Sequence, residues 1–387
     1  MNIQLEEAVK QIKLWGKGKE FIPLHEPVFY GNEKKYVLDC IESGWVSSVG
    51  KYVDLLEDKL AEYTGIKYAV AVVNGTSALH IALKLAGVKR DEEVLIPSLT
   101  FIATANAVRY CDATPHFVDV EEQTLGLDPI ALRSHLQEIV TQENGTSINK
   151  KTGRIIRAIV PMHTFGHPVD MDELLKVAEE FNLKVVEDAA ESLGSFYKGK
   201  HTGTFGSLAA VSFNGNKAIT TGGGGAILTN NEEYSRLAKH LTTTAKIPHR
   251  WEYNHDEVGF NYRMPNINAA LGCAQLEQLP IFLEQKKSLT KKYELLFSNI
   301  DGISLFLEPQ NAGSNYWLQT IKIDQSVYLR DELLLFLNNN GIMSRPIWTP
   351  LHELNPYQHC PSADLPITNK LKNILINIPS SPYLGVE

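Results

Sequence analysis

Short β-branched runs alternate with segments of helical periodicity from about residue 67 onward, and this alternation limits the fold more than any other feature. Helices are predicted over segments that include 77–85 and 171–181, and the expected strands are 67–73, 93–97, 115–118, 157–162 and 184–187. Chains with this pattern form a mainly parallel sheet with helices on both of its faces. Two more predicted strands, 209–213 and 225–229, lie so close together that we expect an antiparallel or irregular excursion there.

At 387 residues the chain is long enough for two unequal domains. After about residue 265 the pattern changes to long helical periodicity over 268–297, and a smaller α/β region follows with 314–323 and 330–339. The predicted organisation is therefore an N-terminal segment (1–25), a large domain (26–265) and a small C-terminal domain (266–387).

Composition and charge exclude several classes of function. A net charge of −8 offers no basic field to a phosphate backbone, so we expect no nucleic-acid partner. No apolar run approaches the ~20 residues that span a bilayer, and the start of the chain lacks the features of a signal peptide. We therefore expect a cytoplasmic protein with no membrane partner.

The four cysteines lie far apart, and Gly166 and Pro168 interrupt the spacing of His163 and His167, so no metal site is expected.

A pair of carboxylates at the end of a predicted strand and a lysine among small residues carry the strongest chemical signal. Asp188 follows Glu187, and because neighbouring strand residues face opposite sides, only one of the two can point into a site. Lys217 lies between Ser212 and the glycine run 222–225, where the backbone can approach a bulky ligand closely. An enzyme that uses pyridoxal 5′-phosphate (PLP) requires a lysine that binds the aldehyde as a Schiff base and a carboxylate that keeps the pyridine nitrogen protonated. We therefore predict PLP on Lys217, Asp188 at the ring nitrogen, and Glu187 as a capping or surface carboxylate.

Two further segments could complete such a site. Gly75, Thr76 and Ser77 follow a predicted strand and open a helix, where free N–H groups and hydroxyls favour a phosphate group. Phe101 is expected at the carboxyl edge of the sheet, where it could stack on a cofactor ring. Taken alone, the first segment is more typical of an ordinary helix N-cap, and Phe101 of a core aromatic residue. The glycine run matches neither a P-loop nor a dinucleotide fingerprint, which leaves nucleotide enzymes of those classes without support.

Together, these motifs resemble those of fold-type-I PLP enzymes of the sugar-nucleotide aminotransferase family. The resemblance extends from residue 22 almost to the C-terminus, and the matching segments are 22–27, 74–76, 97–107, 117–120, 163–170, 187–190, 212–217 and 259–263. Segments 212–217 and 220–225 are most similar to members that aminate C4 of UDP-linked 4-keto-6-deoxy amino sugars, as in legionaminic-acid and bacillosamine pathways. This resemblance implies a role in amino-sugar and polysaccharide biosynthesis.

The resemblance also implies an architecture and a set of cofactor residues. The fold would be a mainly parallel seven-stranded sheet flanked by helices, with a smaller C-terminal α/β domain. Glu191 takes the position near the phenolic oxygen of the cofactor, where relatives often have glutamine or histidine, and a second anion there would be repelled unless a proton is shared. The implied cofactor residues are Lys217 for the Schiff base, Asp188 and Glu191 at the ring, Phe101 stacked on it, Gly75, Thr76, the Ser77 backbone and Ser212 at the phosphate, and Asn261 from the neighbouring subunit of a homodimer.

By resemblance, the enzyme moves an amino group from L-glutamate to the C4 keto carbon of the nucleotide sugar. Two alternatives stay open: a PLP-dependent sugar dehydratase or other lyase on the same fold, and a non-catalytic sugar-binding regulator. Trp45, Tyr316 and His352 are candidate substrate residues, and each is equally compatible with a packing or surface role. Arg250 and Arg345 are candidates for meeting the diphosphate of the substrate.

Overall fold

The computed structural model describes residues 3–386. Its longer helices are α1 (Ile3–Trp15), α2 (Glu33–Ser43), α3 (Lys51–Thr64), α4 (Gly75–Leu85), α5 (Ile102–Tyr110), α6 (Pro129–Ile139), α7 (Met171–Glu180), α8 (Glu232–Thr242), α9 (Asn266–Phe297), α10 (Arg330–Asn339) and α11 (Pro366–Ile374). Its strands are β1 (Tyr68–Val72), β2 (Glu93–Pro97), β3 (Thr114–Val118), β4 (Val140–Glu143), β5 (Thr146–Asn149), β6 (Ile156–Ile159), β7 (Lys184–Asp188), β8 (Phe196–Tyr197), β9 (Lys200–His201), β10 (Leu208–Ser212), β11 (Gly225–Thr229), β12 (Ile303–Leu305), β13 (Ala312–Gly313), β14 (Gln319–Ile323), β15 (Arg345–Pro346) and β16 (Leu375–Ile378).

The central sheet has seven strands in the order β1-β11-β10-β7-β6-β2-β3. The pairs from β10 to β3 are parallel, and β11 runs antiparallel to both of its neighbours. Strands such as β2, β3 and β11 are buried along their whole length, as expected for a sheet covered by helices on both faces. The predicted mainly parallel seven-stranded sheet, with its antiparallel excursion near residue 225, is confirmed.

A second, antiparallel sheet in the order β12-β14-β16-β15 lies in the C-terminal part of the chain. Its buried residues form one hydrophobic cluster with α1 and α10. The 32-residue helix α9 contributes its first half to a cluster with β10 and β11, and its second half to the cluster of the C-terminal sheet. The division at residues 25 and 265 stays a prediction.

The central sheet brings four segments to one edge. β1 is followed by α4, β2 by the turn that leads into α5, and β7 and β10 end at Asp188 and Ser212. Because these four strands run in the same direction, their carboxyl ends meet at the edge where open α/β sheets bind ligands.

Residues 3–386 contain neither a membrane-spanning helix nor a cluster of metal-binding side chains. None of the helices there combines the length and apolar character that crossing a lipid bilayer requires. The same residues hold no group of three or more His, Cys, Asp or Glu side chains that could bind a metal ion.

Candidate active site

A cavity of about 420 Å³ opens at the carboxyl edge of the central sheet. This volume lies in the range of roughly 300–1,000 Å³ that is typical of small-molecule sites. The residues predicted for the cofactor that line it are Gly75, Thr76, Phe101, Asp188, Glu191, Ser212 and Lys217. Side chains that are separated by up to 142 positions in sequence, from Gly75 to Lys217, therefore share one site.

Asp188 is the buried carboxylate of this cavity. Its Oδ2 accepts a 2.7 Å hydrogen bond from Thr104 Oγ1, and its Oδ1 accepts one of 3.2 Å from the Ala190 N–H. Burial raises the pKa of Asp188, and the Thr104 hydroxyl and Lys217 act against that rise. A carboxylate held in this way offers a negative charge to a cationic ring nitrogen.

Glu187 faces the other side of the sheet, as strand alternation requires. It is fully buried, and the N–H groups of Gly203, Phe205 and Gly206 donate to its carboxylate at 2.7 Å. His163 Nε2 lies 3.0 Å from its Oε2. Burial by itself raises the pKa of Glu187, but His163 and the backbone donors outweigh it, so that the pKa lies below its ordinary value. The expectation of a capping or surface carboxylate was wrong, because four donors stabilise the charge inside the fold.

Lys217 is held between a carboxylate and an aromatic ring. Its Nζ lies 3.2 Å from Glu191 Oε1 and 3.8 Å from the centroid of the Trp317 ring. Glu191 is buried, its Oε2 accepts a 2.9 Å hydrogen bond from the Phe165 N–H, and burial raises its pKa to about 7. Glu191 can therefore gain or lose a proton near neutral pH, which addresses the repulsion expected between two adjacent anions.

The first turn of α4 forms another wall of the cavity. Asn74 caps this helix, since its Oδ1 accepts a 2.8 Å hydrogen bond from the Ser77 N–H. The Ser77 N–H, expected at the phosphate, thus already has a partner within the chain. Gly75 and Thr76 line the cavity at the helix start, where N–H groups have no intrahelical acceptor and attract anions.

Close backbone approach explains two of the glycines here. A Cβ on Gly75 would lie 2.8 Å from Ser212 Cβ, and a Cβ on Gly225 would lie 2.7 Å from the Gly75 nitrogen. Side chains at these positions would therefore displace the helix start from Ser212.

Two tryptophans that the sequence analysis missed, Trp317 and Trp348, complete the cavity wall. The half-exposed Phe101 lies 6.3 Å from Trp348, measured between ring centroids. Trp317 follows the predicted Tyr316 directly, but the backbone at Tyr316 is left-handed (φ 47°), so strand alternation does not apply to this pair. No local sequence pattern therefore distinguishes Trp317 from Tyr316.

The predicted substrate residues lie outside the cavity lining. Tyr316 is buried, its ring lies 5.4 Å from that of His167, and its hydroxyl accepts a hydrogen bond from the Glu308 N–H. His352 Nδ1 lies 2.8 Å from Ser98 Oγ, and Trp45 is exposed after α2. Their substrate roles stay predictions. The exposed Asn261 accepts hydrogen bonds from Arg263 through its Oδ1, also outside the cavity lining.

A buried lysine holds the backbone of the segment that carries Trp317. Lys286 Nζ, on α9, donates to the carbonyl oxygens of Tyr316 (3.0 Å), Trp317 (3.1 Å) and Ser380 (2.7 Å). Lys286 Nζ thus joins the segment that carries Trp317 to the segment after β16.

The donor set of the cavity fits PLP. Lys217 supplies an amine for the aldehyde, Asp188 a buried carboxylate for the ring nitrogen, and the start of α4 a place for the phosphate. Phe101 presents a half-exposed ring face in the same cavity.

The known proteins that this chain resembles include aminotransferases, in agreement with the donor set of the cavity. Residues 29–387 match the model of the DegT/DnrJ/EryC1/StrS aminotransferase family. The chain is 38% identical over 368 residues to a GDP-perosamine synthase of Escherichia coli O157:H7, and the match covers 95% of each chain. It is 38% identical over 331 residues to EpsN of Bacillus subtilis (strain 168), which is named a pyridoxal phosphate-dependent aminotransferase, with 86% of this chain and 82% of EpsN covered. A solved DegT DnrJ EryC1 StrS aminotransferase from Brucella abortus has a TM-score of 0.82 at 28% identity, with 91% of each chain covered.

Proposed function

Because this chain belongs to the DegT/DnrJ/EryC1/StrS aminotransferase family and is a PLP-dependent sugar aminotransferase, we propose that it transfers an amino group from L-glutamate to C4 of a UDP-linked 4-keto-6-deoxy amino sugar. The observation that carries the proposal is the meeting of Asp188 and the Lys217–Glu191 pair in one cavity. The choice of a UDP sugar depends on the amino-acid sequences of segments 212–217 and 220–225. The E. coli relative is named for a GDP sugar, so the nucleotide is the part of the proposal that needs a direct test.

PLP, when bound, would supply an electron sink for the electrons left at the donor's α-carbon. Lys217 Nζ would hold the aldehyde of PLP and, as a free neutral amine, would take the proton from the donor's α-carbon. Asp188 keeps the ring nitrogen protonated, and its hydrogen bonds from Thr104 and Ala190 fix the carboxylate in one orientation. Charge placed in advance in this way requires little reorganisation during the reaction.

Glu191 contributes a carboxyl group that can exchange a proton near neutral pH. In the protonated state it can donate a hydrogen bond to the phenolic oxygen of the cofactor, which a carboxylate cannot do. The Phe165 N–H holds the other carboxyl oxygen and so fixes the direction of that donor.

A basic hollow beside Asn261 is the proposed site of the substrate diphosphate. The hollow is lined by Lys246, His249, Arg250 and Arg263, and Arg263 is the residue that donates to Asn261. Arginine forks match phosphate geometry. Arg250 lines this hollow and Arg345 does not, so we favour Arg250 for that role.

We place this hollow at the active site of a second copy of the chain, in a homodimer. Large aromatic side chains are more than half exposed in the same part of the sequence and near the N-terminus: Phe29, Tyr30, Trp45, Trp251 and Tyr253. Exposed apolar surface of this kind is typical of an interface. A cytoplasmic location, expected from the sequence, stays part of this proposal.

The dimer can be tested by mixing two inactive variants, Lys217→Arg and Asn261→Ala. In a mixed dimer, one of the two sites has the unchanged Lys217 of one subunit and the unchanged Asn261 of the other. Equal mixing with subunit exchange makes about half of the dimers mixed, so about a quarter of wild-type activity should return. Activity that stays at the level of the separate variants would place both residues in the same subunit's site.

The first experiment for the proposed activity is the visible absorption spectrum of the PLP-loaded protein before and after addition of L-glutamate. We expect the band of lysine-bound PLP to be replaced by that of pyridoxamine phosphate. UDP- and GDP-linked 4-keto-6-deoxy sugars are then added in turn, and only the true acceptor restores the first band. A band that does not respond to L-glutamate would favour another donor or the dehydratase alternative.

A further inference from the structure

We propose that Trp317 is the positioning residue of Lys217: its indole N–H fixes the backbone before the lysine, and its ring face receives the Lys217 ammonium when the lysine is released from the cofactor and protonated. This inference rests on the proposed function, because the lysine leaves the cofactor and returns to it in each transfer of an amino group.

Trp317 contacts the lysine segment in two independent ways. Its Nε1–H donates a 2.6 Å hydrogen bond to the carbonyl oxygen of Asn216, the residue before Lys217. The same indole lies 3.8 Å, at its centroid, from Lys217 Nζ. One side chain therefore determines both where the lysine backbone lies and where its amine can rest.

The tryptophan itself has little freedom to move. Trp317 is almost completely buried, and its backbone N–H donates a 2.8 Å hydrogen bond to Asn315 Oδ1. Its carbonyl oxygen accepts from the buried Lys286. Because the surroundings fix the ring, it can act as a rigid support for a flexible lysine side chain.

Amine exchange gives this support a chemical role. The exchange breaks the bond between Lys217 Nζ and the cofactor carbon and forms one between that carbon and the donor nitrogen. The donor would enter and Nζ would leave as neutral amines, and Nζ would become an ammonium when it takes the proton from the donor's α-carbon. A ring face attracts an ammonium and not a neutral amine, and the Glu191 carboxylate, 3.2 Å from Nζ, attracts it as well.

The test uses protein loaded with pyridoxamine 5′-phosphate, in which Lys217 is not bonded to the cofactor. Lys217 is labelled with a small acylating reagent, and the extent of labelling is measured by mass mapping of its peptide. We expect Trp317→Leu to increase the labelling by about threefold to tenfold, because the loss of one cation–π contact changes an equilibrium by about that factor. Trp317→Phe keeps a ring face, and we expect its labelling to stay within about twofold of wild type.

Trp348→Leu is the matched control, because it opens the same cavity without removing the ring at Lys217. Increased labelling in Trp317→Leu but not in Trp348→Leu supports the proposal. Equal labelling in Trp317→Leu and wild type, equal increases in the two leucine variants, or an increase in Trp317→Phe as large as in Trp317→Leu would each overturn it. If Trp317→Leu does not fold, the comparison of Trp317→Phe with Trp348→Leu decides, since the proposal requires the phenylalanine variant to label no more than the control.

A second readout is the equilibrium between the two cofactor forms in mixtures of L-glutamate and 2-oxoglutarate. We expect Trp317→Leu to shift it about threefold to tenfold towards the lysine-bound form, since the free ammonium loses a partner. A wild-type protein that does not respond to L-glutamate would reject the proposed function, whereas the labelling experiment would still report on Trp317.

Discussion

Thr104 Oγ1 donates a 2.7 Å hydrogen bond to Asp188 Oδ2, and both residues are buried. Thr104 lies in the first turn of α5, and Asp188 is the last residue of β7, so the bond joins two segments that meet only at the carboxyl edge of the sheet. Burial raises the pKa of Asp188, and this hydroxyl is the first of the groups that lower it. The charge that the cofactor ring needs therefore depends on a residue that has no direct contact with the ring nitrogen in the proposed mechanism.

Replacing Thr104 by valine should weaken cofactor binding. The variant keeps the side-chain shape but leaves the buried carboxylate with one donor fewer, a loss of about 1–3 kcal/mol. We expect PLP affinity to fall about tenfold or more, as measured by absorption titration of the cofactor-free chain. Thr104→Ser, which keeps the hydroxyl, should stay close to wild type, and equal affinities for the valine and serine variants would contradict this role.

Replacing Lys217 by arginine should abolish turnover. Arginine stays protonated and cannot bond to the aldehyde, so we expect a loss of at least about 10³-fold in kcat and no band of lysine-bound PLP. Lys184→Arg, at the exposed opposite end of β7, is the control and should leave both unchanged. A variant at Lys217 that kept turnover would assign the chemistry to another amine.

Glu191 should make the stability of the protein depend on pH. Its pKa in the folded protein is about 7, above the ordinary value of 4.5, so its stabilising contribution is fully present below about pH 4.5 and is lost as the pH rises through 7. In Glu191→Gln this loss is absent. Between pH 4.5 and 8 the free energy of unfolding of the variant should therefore rise relative to wild type by up to about 3 kcal/mol.

Urea unfolding of the two proteins at a series of pH values measures this difference. The loss of the ion pair with Lys217 adds an offset, but the prediction concerns only how the difference changes with pH. Asp188 is present in both proteins, so the part of its titration that is independent of Glu191 cancels in the difference. A difference that does not change with pH would show that Glu191 stays ionised throughout.

Gly225→Ala should disturb the phosphate end of the cavity. The added Cβ would lie 2.6 Å from the Val211 carbonyl oxygen and 2.7 Å from the Gly75 nitrogen, both backbone atoms. We expect a loss of about 1–3 kcal/mol in stability together with weaker PLP binding, because the strand and the helix start must separate. Gly223→Ala is the matched control, since its Cβ would meet no atom within 4 Å. Equal unfolding midpoints for the two variants would contradict the prediction.

The sequence was sufficient to predict the central sheet and the residues brought to its carboxyl edge. Alternating strands and helices fix the direction of each strand, and strand ends such as Asp188 and Ser212 then meet at one edge. Burial and partners were harder to infer. Glu187 reads as a surface carboxylate beside Asp188, because the three backbone donors that satisfy it come from a loop 16 to 19 residues later in the chain.

The aromatic wall was beyond the sequence for a different reason. Tyr316 and Trp317 are adjacent large aromatics, and composition does not distinguish the one that faces the core from the one that faces the cavity. The choice depends on long-range contacts, such as the packing of Tyr316 on His167 and the bond from Trp317 to Asn216. Trp348 reaches the cavity from a loop in the C-terminal part of the chain, and no local pattern predicts that approach.

The contacts of Lys286 also determine when the site can form during synthesis of the chain. The cavity residues from Gly75 to Lys217 leave the ribosome before Trp317. Ser380, whose carbonyl oxygen accepts from the same Lys286 Nζ as that of Trp317, emerges later still. At about 5–20 residues per second, the interval from Lys217 to Ser380 lasts on the order of ten seconds. During that interval the nascent lysine has neither its aromatic support nor an enclosed pocket around it, so the fold delays a competent site until the segment with Ser380 has been made.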